Sequence, residues 1–316
     1  MSTIFTETTM EKDSQGPHGS LIVGTVYIIF PLFLLSVYSI FNLTIRTRSE
    51  YRKLQAFCFM FYIGILDCVQ LIGHIFGGII TIWPTINTNL PNLNRIIGAI
   101  TNSGCVGLFP LSLVTALYRL LVIQKLAHPN SRFLLLVKGG MLLSFVYCFT
   151  FFICLLSFSG FVYDPKSWSW DYTNSSIMSQ LEFIISMPLI FFTFIIYIAI
   201  SITVYRMKKG LKTIHKTELQ MIIHAAILFM VLTSMMTFWH YHELFFPDSR
   251  WTTFAINLYW MMYCGLNPLL YLVCSRKIRL SFLQFIGVTS CEKRAAVVTP
   301  IIFMKQTPMF VRRQIR

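Results

Sequence analysis

Seven long apolar runs, joined by short polar connections, constrain this chain more than any other feature. They lie at roughly 21–45, 55–82, 95–124, 133–158, 181–205, 219–242 and 251–274. A helix needs about 20 mostly apolar residues to cross the hydrocarbon of a bilayer, and each run is long enough. Backbone groups in lipid must be satisfied within the segment, so runs of this length read as helices. The expected fold class is therefore all-α, a seven-transmembrane helix bundle. Composition agrees, since 55% of residues are hydrophobic and 12% are charged, against about 25% charged in a soluble domain. The implied organisation is an N-terminal tail over 1–20, the bundle over 21–274, a juxtamembrane segment over 275–286 and a basic tail over 287–316. The connections leave no room for a separate soluble domain. The first 20 residues are polar and the first apolar run exceeds a signal-peptide core, so the first span itself is expected to direct insertion. The halves show no inverted repeat, which counts against a secondary transporter.

Charge sets the orientation. With the N-terminus outside, 22 of the 26 Lys and Arg residues fall on the inner side, as cytoplasmic loops require. The outer side holds Lys12, Arg95, Lys166 and Arg250 against eight acids. The net charge of +14 is thus an inner-leaflet property. It implies contact with anionic lipid and acidic cytoplasmic partners, and no nucleic acid.

Within the spans, chemistry-bearing residues are few. Ionisable groups cost about 2.5–3.5 kcal/mol each on membrane-insertion scales, and Asp67 is the only acid placed deep in the bundle. Carboxylate-pair catalysis needs two acids, and Glu182 and Glu243 lie near the outer ends of their spans. No GxSxG, phosphate loop, CxxC or HExxH spacing occurs, so neither an enzyme nor a metal or other cofactor is expected. The eight cysteines read as small packing residues, except that Cys291 follows the juxtamembrane segment and suits palmitoylation. Asn174-Ser-Ser is a glycosylation sequon in the longest outer loop, 159–180, whereas Asn42-Leu-Thr lies at an inner end.

The last span reads GLNPLLYLVCSRKIR from Gly265 to Arg279. Pro268 removes a donor and frees the carbonyl of Cys264, which predicts a bend. Membrane helices tolerate this where neighbouring polar groups compensate. Asn267 is placed to do so and to reach Asp67, and a bend held by a few hydrogen bonds is a plausible two-state hinge. Beyond it, Ile278, Phe282, Phe285 and Ile286 share one face while Arg276, Lys277 and Arg279 fall elsewhere. That pattern predicts a short amphipathic helix on the inner membrane surface.

Seven spans, N-out, with Asp67 in the second, ALYRLLVI ending the third and Asn-Pro-x-x-Tyr ending the seventh, resemble a rhodopsin-like G-protein-coupled receptor over roughly residues 21–286. The second span, FYIGILDCVQLIGHIFGGIITI, is most similar to nematode serpentine chemoreceptors of class T. The resemblance implies a chemosensory receptor of the plasma membrane, in a sensory cilium, that couples a small-molecule ligand to a heterotrimeric G protein. It assigns coupling to Tyr118 and Arg119 and the activation switch to Asp67, Asn267, Pro268 and Tyr271. The sequence departs from the wider pattern at several points. Tyr118 stands where an acid would restrain Arg119, the fourth span lacks its tryptophan, and Phe238-Trp239-His240-Tyr241 lacks the sixth-span proline. The cysteine pair joining the third span to the second outer loop is absent. Gly107 and Leu108 replace the serine expected of a sodium site around Asp67. The seventh span has no lysine for retinal. The outer halves offer Asn102, Ser103, Cys105, Trp239, Tyr241, Asn257, Tyr259 and Trp260 as a pocket for a small, mostly uncharged molecule, although Trp and Tyr near span ends also serve as interface residues. The alternative function is a ligand-gated channel or transporter of the same membrane.

Overall fold

The computed structural model describes residues 17–124, 132–173, 176–210 and 216–288. Its elements are α1 (Pro17–Thr47), α2 (Ser49–Arg52), α3 (Gln55–Ile82), α4 (Thr85–Asn89), α5 (Pro91–Ile123), α6 (Arg132–Ser157), β1 (Gly160–Asp164), β2 (Ser169–Thr173), α7 (Ser176–Gly210), α8 (Lys216–Phe245), α9 (Arg250–Cys274) and α10 (Arg276–Phe285). The seven long helices are the seven expected spans, each extended by a few residues at one or both ends except α3, which keeps its expected bounds.

By length and composition alone, α1, α3, α5, α6 and α7 are apolar enough to cross a bilayer among the described residues. The sequence reading had placed all seven in that group. In α9, Asn257, Asn267, Pro268 and several tyrosines dilute the apolar character, and Asn257, Pro268 and Tyr263 are buried inside the bundle. The outward faces tell the same story from the other side. In α6 the buried residues Val137, Ser144, Phe151 and Leu155 form one stripe, while Leu135, Leu136, Leu142, Leu143 and Phe149 are exposed. A helix apolar on both faces needs lipid around it.

The central helix is α5, which packs on α3, α6, α7 and β1. Where α1 and α3 cross, Gly24 and Gly78 bring the backbones together: a Cβ on either would lie 2.8–2.9 Å from the other's carbonyl oxygen. Small residues at such crossings allow the close packing that drives helix association in lipid.

One end of the bundle carries α10. Ser275 has extended backbone and turns the chain, and its hydroxyl accepts from the Ile278 amide at 3.4 Å. Arg279 donates to the carbonyls of Leu272 and Val273, both at 3.1 Å, satisfying groups at the end of α9 that lack helical partners. Ile278 is buried with Tyr38, Phe41, Ile45, Tyr51 and Met60. Arg48 donates to Gln284 at 3.0 Å, and Tyr51 and Ser281 share a hydrogen bond of 2.8 Å. The basic run after α9 therefore seals a helix end and fixes a surface helix.

The other end carries the antiparallel hairpin β1–β2, paired from Gly160↔Thr173 to Asp164↔Ser169. Its alternation explains it: Phe161, Tyr163, Trp168 and Trp170 are buried, and successive strand residues face opposite ways. The hairpin is an addition to the helical plan, and it lies over the mouth of the bundle.

Candidate functional site

A column of polar side chains runs through the bundle between its two ends. At the α10 end, Arg119 projects from the last turns of α5 beside Tyr118, whose ring packs on Phe59 with centroids 5.5 Å apart. Arg119 donates through Nη2 to the Tyr271 hydroxyl at 2.9 Å and through Nη1 to the Tyr197 hydroxyl at 3.3 Å. Two tyrosines, from α9 and α7, thus hold the guanidinium. The one ion pair among the described residues is elsewhere, Lys277 with Glu50 at 3.0 Å, and is largely exposed. A cavity of about 60 Å³ lies here, lined among others by Arg119, Tyr197, Tyr271, Asn267, Thr115 and Thr193. It has room for roughly four or five waters, with polar groups to hold them.

Midway along the column, Asp67 is fully buried. Its Oδ2 accepts from the Tyr38 hydroxyl at 2.7 Å and from Asn267 Nδ2 at 3.3 Å. Asn267 therefore reaches Asp67 as the spacing predicts, one residue before Pro268, which lies inside the unbroken helix α9. Tyr38 and Tyr197 were not anticipated. Each sits in an otherwise apolar helix, where a tyrosine looks like an ordinary core residue. Gly107 faces Cys148 rather than Asp67, in keeping with a site that lacks the sodium-binding hydroxyl.

Above Asp67, Gln70 Oε1 accepts from Trp260 Nε1 at 2.7 Å and from the Cys264 thiol at 3.6 Å. The Trp260 ring meets His74 at 4.7 Å and Trp239 at 5.2 Å, both edge-on. The column then reaches a small cavity of about 10 Å³ at the hairpin end, lined by Asn102, Cys105, Glu182, Met235, Met236, Trp239 and Trp260. That is space for a single water.

The hairpin bonds two of the residues that line this cavity. Tyr172 of β2 donates to the Glu182 carboxylate and accepts from Asn102 Nδ2 at 2.5 Å. Burial, and then the Glu182 carboxylate beside it, hold the Tyr172 phenol well above its usual range, so it stays a neutral donor. Further bonds fasten the hairpin to four helices. Tyr27 of α1 donates to the Trp168 carbonyl at 3.1 Å. Thr81 of α3 pairs with the Tyr163 hydroxyl at 2.5 Å. Asn94 of α5 bonds both backbone groups of Tyr163, at 2.9 and 3.0 Å. Thr253 of α9 donates to the Ser167 carbonyl at 2.6 Å, and Asn257 to the Ser169 hydroxyl at 3.1 Å. Arg250 lies over the Trp168 ring, 3.9 Å from its centroid.

Of the eight expected pocket residues, Asn102, Cys105, Trp239 and Trp260 line the cavity together. The other four lie elsewhere. Asn257 holds the hairpin. Ser103 bonds its own helix at Ile100, and its carbonyl accepts from Cys148 of α6. Tyr259 pairs with Ser234 at 2.6 Å, and Tyr241 is exposed and packs on Phe183. Depth along a helix was readable from sequence, but rotation about its axis was not. Glu182 was overlooked because it sits near a helix end, where an acid ordinarily faces water. Asn174 and Cys291 lie outside the described residues.

The long helices and the polar column through them are the site's frame, and comparison with known proteins places it. The crystal structure of squid rhodopsin has a similar fold, with a TM-score of 0.62 over 87% of each chain at 14% sequence identity. The model of the serpentine type 7TM GPCR chemoreceptor family Srt matches residues 7–295. The chain belongs to that family, and the resemblance drawn from its motifs is borne out. No curated protein matches it.

Proposed function

We propose that this chain is a chemosensory receptor of the plasma membrane, N-terminus outside. A small molecule binds in the cavity at the hairpin end, and helix rearrangement carries the signal to a heterotrimeric G protein at the α10 end. The observation that carries this reading is the polar column: Trp260 bonds Gln70, Asn267 bonds Asp67 one turn along α3, and Asn267 lines the same cavity as Arg119. A ligand acts only by binding one arrangement of helices better than another. Trp239 and Trp260 line the cavity, and Asn267 and Tyr271 lie on the same helix as Trp260, below it. Tilting α9 about Pro268 changes the distance between Tyr271 and Arg119. Among the described residues no acid pairs with Arg119, and Tyr118 stands where the wider pattern has one, so the receptor is expected to signal without ligand.

Ligand-free nucleotide exchange on G proteins, measured in cells at matched surface levels, tests this. Arg119→Ala should abolish the basal signal. Tyr118→Asp should lower it, because the new carboxylate competes with the Tyr197 and Tyr271 hydroxyls for the guanidinium. Exchange absent from all three proteins, with a ligand-gated current in its place, would make the chain a channel.

A further inference from the structure

The hairpin-end cavity contains a carboxylate with no cation beside it among the described residues. Glu182 is buried, and its partners are neutral, the Tyr172 phenol and the Asn102 amide. The cations near this end are engaged elsewhere or face outward: Arg95 donates to the Leu156 carbonyl at 2.7 Å, Arg250 stacks on Trp168, and Lys166 is exposed in the hairpin turn. A buried carboxylate is costly unless it is paired or well hydrogen-bonded, and one or two neutral donors satisfy only part of its four lone-pair sites. The remaining cavity walls are the Asn102 amide, two indoles, two thioethers and a thiol. Indole faces and polarisable sulfur beside an anion suit a positively charged organic group.

We propose that Glu182 is the anchor for a small organic amine bound as its ammonium, with Trp239 and Trp260 against its carbon skeleton. The inference rests on the reading of this cavity as the ligand site, and it replaces the uncharged ligand expected from sequence with a charged one. It also assigns a role to Tyr172. The cavity is too small for any organic ligand while the hairpin is seated, and the Tyr172 hydroxyl occupies the position from which an ammonium would donate. Ligand and lid therefore compete for one carboxylate, and binding of the amine requires β2 to release Glu182. Asn102, freed from Tyr172, is left to hydrogen-bond the ligand or the carboxylate.

The test uses purified full-length receptor in lipid nanodiscs and reads affinity from thermal stabilisation, with no G protein present. The probes are matched pairs of nearly equal shape: isopentylamine with 3-methylbutanol, and phenethylamine with 2-phenylethanol. Wild type should bind at least one amine roughly tenfold or more tightly than its alcohol, the difference expected of a charge-assisted hydrogen bond. Glu182→Gln should bring that ratio to about one. Tyr172→Phe, which frees the carboxylate, should tighten amines and leave alcohols unchanged, and it decides the matter if Glu182→Gln does not fold. The proposal falls if neither amine is preferred in wild type, if the preference survives Glu182→Gln, or if Tyr172→Phe tightens alcohols equally. Amine binding without any effect on nucleotide exchange would leave the anchor standing and remove the coupling role proposed above. Exchange that depends on Arg119 but shows no amine preference would do the reverse.

Discussion

Arg119 concentrates the consequences of single side chains. Its two tyrosine partners come from different helices, so each bond ties α5 to a neighbour. A hydrogen bond to a charged group contributes about 1.5–3 kcal/mol. Tyr271→Phe should therefore shift the equilibrium away from this arrangement by roughly tenfold, seen as a fall in ligand-free exchange at unchanged surface level. Unchanged exchange would mean that the Tyr271 contact does not report the signalling state. Asp67, Arg119 and Asn267 could be found in the sequence because charge and amide groups inside an apolar run are conspicuous. Tyr38 and Tyr197 complete the hydrogen bonds of Asp67 and Arg119 but could not be found that way. A phenol carries no charge, and its role depends on which way its helix is turned.

Among the elements, the hairpin was the least anticipated. The alternation was present in the sequence, in Phe161 and Tyr163 and again in Trp168, Trp170 and Tyr172. In a membrane protein, however, aromatic residues near helix ends have a second explanation as interface residues, and that explanation masked the strand signal. The seat of the hairpin is narrow. A Cβ at Gly98 of α5 would overlap the Phe161 carbonyl and press on the Trp170 ring. Gly98→Val should thus unseat β1 while leaving the helices intact. Limited proteolysis should cut between residues 160 and 173 in the variant and not in wild type. Helices, by contrast, were readable to within about five residues at each end, because a run of twenty apolar residues has few other outcomes. The corner at Ser275 also follows from sequence: a serine before a basic, amphipathic run is a common helix start.

Taken as a whole, the molecule has an apolar girdle, a capped end and a basic end. The orientation proposed from charge puts the cap outside. Enzymatic deglycosylation of protein from intact cells should reveal a glycan on Asn174, and an N-terminal epitope should be reached by antibody without permeabilisation. A cytoplasmic epitope would invert the arrangement and place Arg119 on the wrong side for a G protein. The cap has one further consequence. Segment 159–180 contains no cysteine, and the seven described cysteines are all free thiols. Among the described residues the lid is fastened by hydrogen bonds and ring contacts, from Tyr27, Thr81, Asn94, Asn102, Glu182, Arg250, Thr253 and Asn257. Its closure is therefore indifferent to redox conditions. Dithiothreitol should leave the thermal unfolding of the purified receptor unmoved, and synthesis in a reducing cell-free system supplied with lipid should yield a fully capped protein, with no oxidative folding step between translation and the finished receptor.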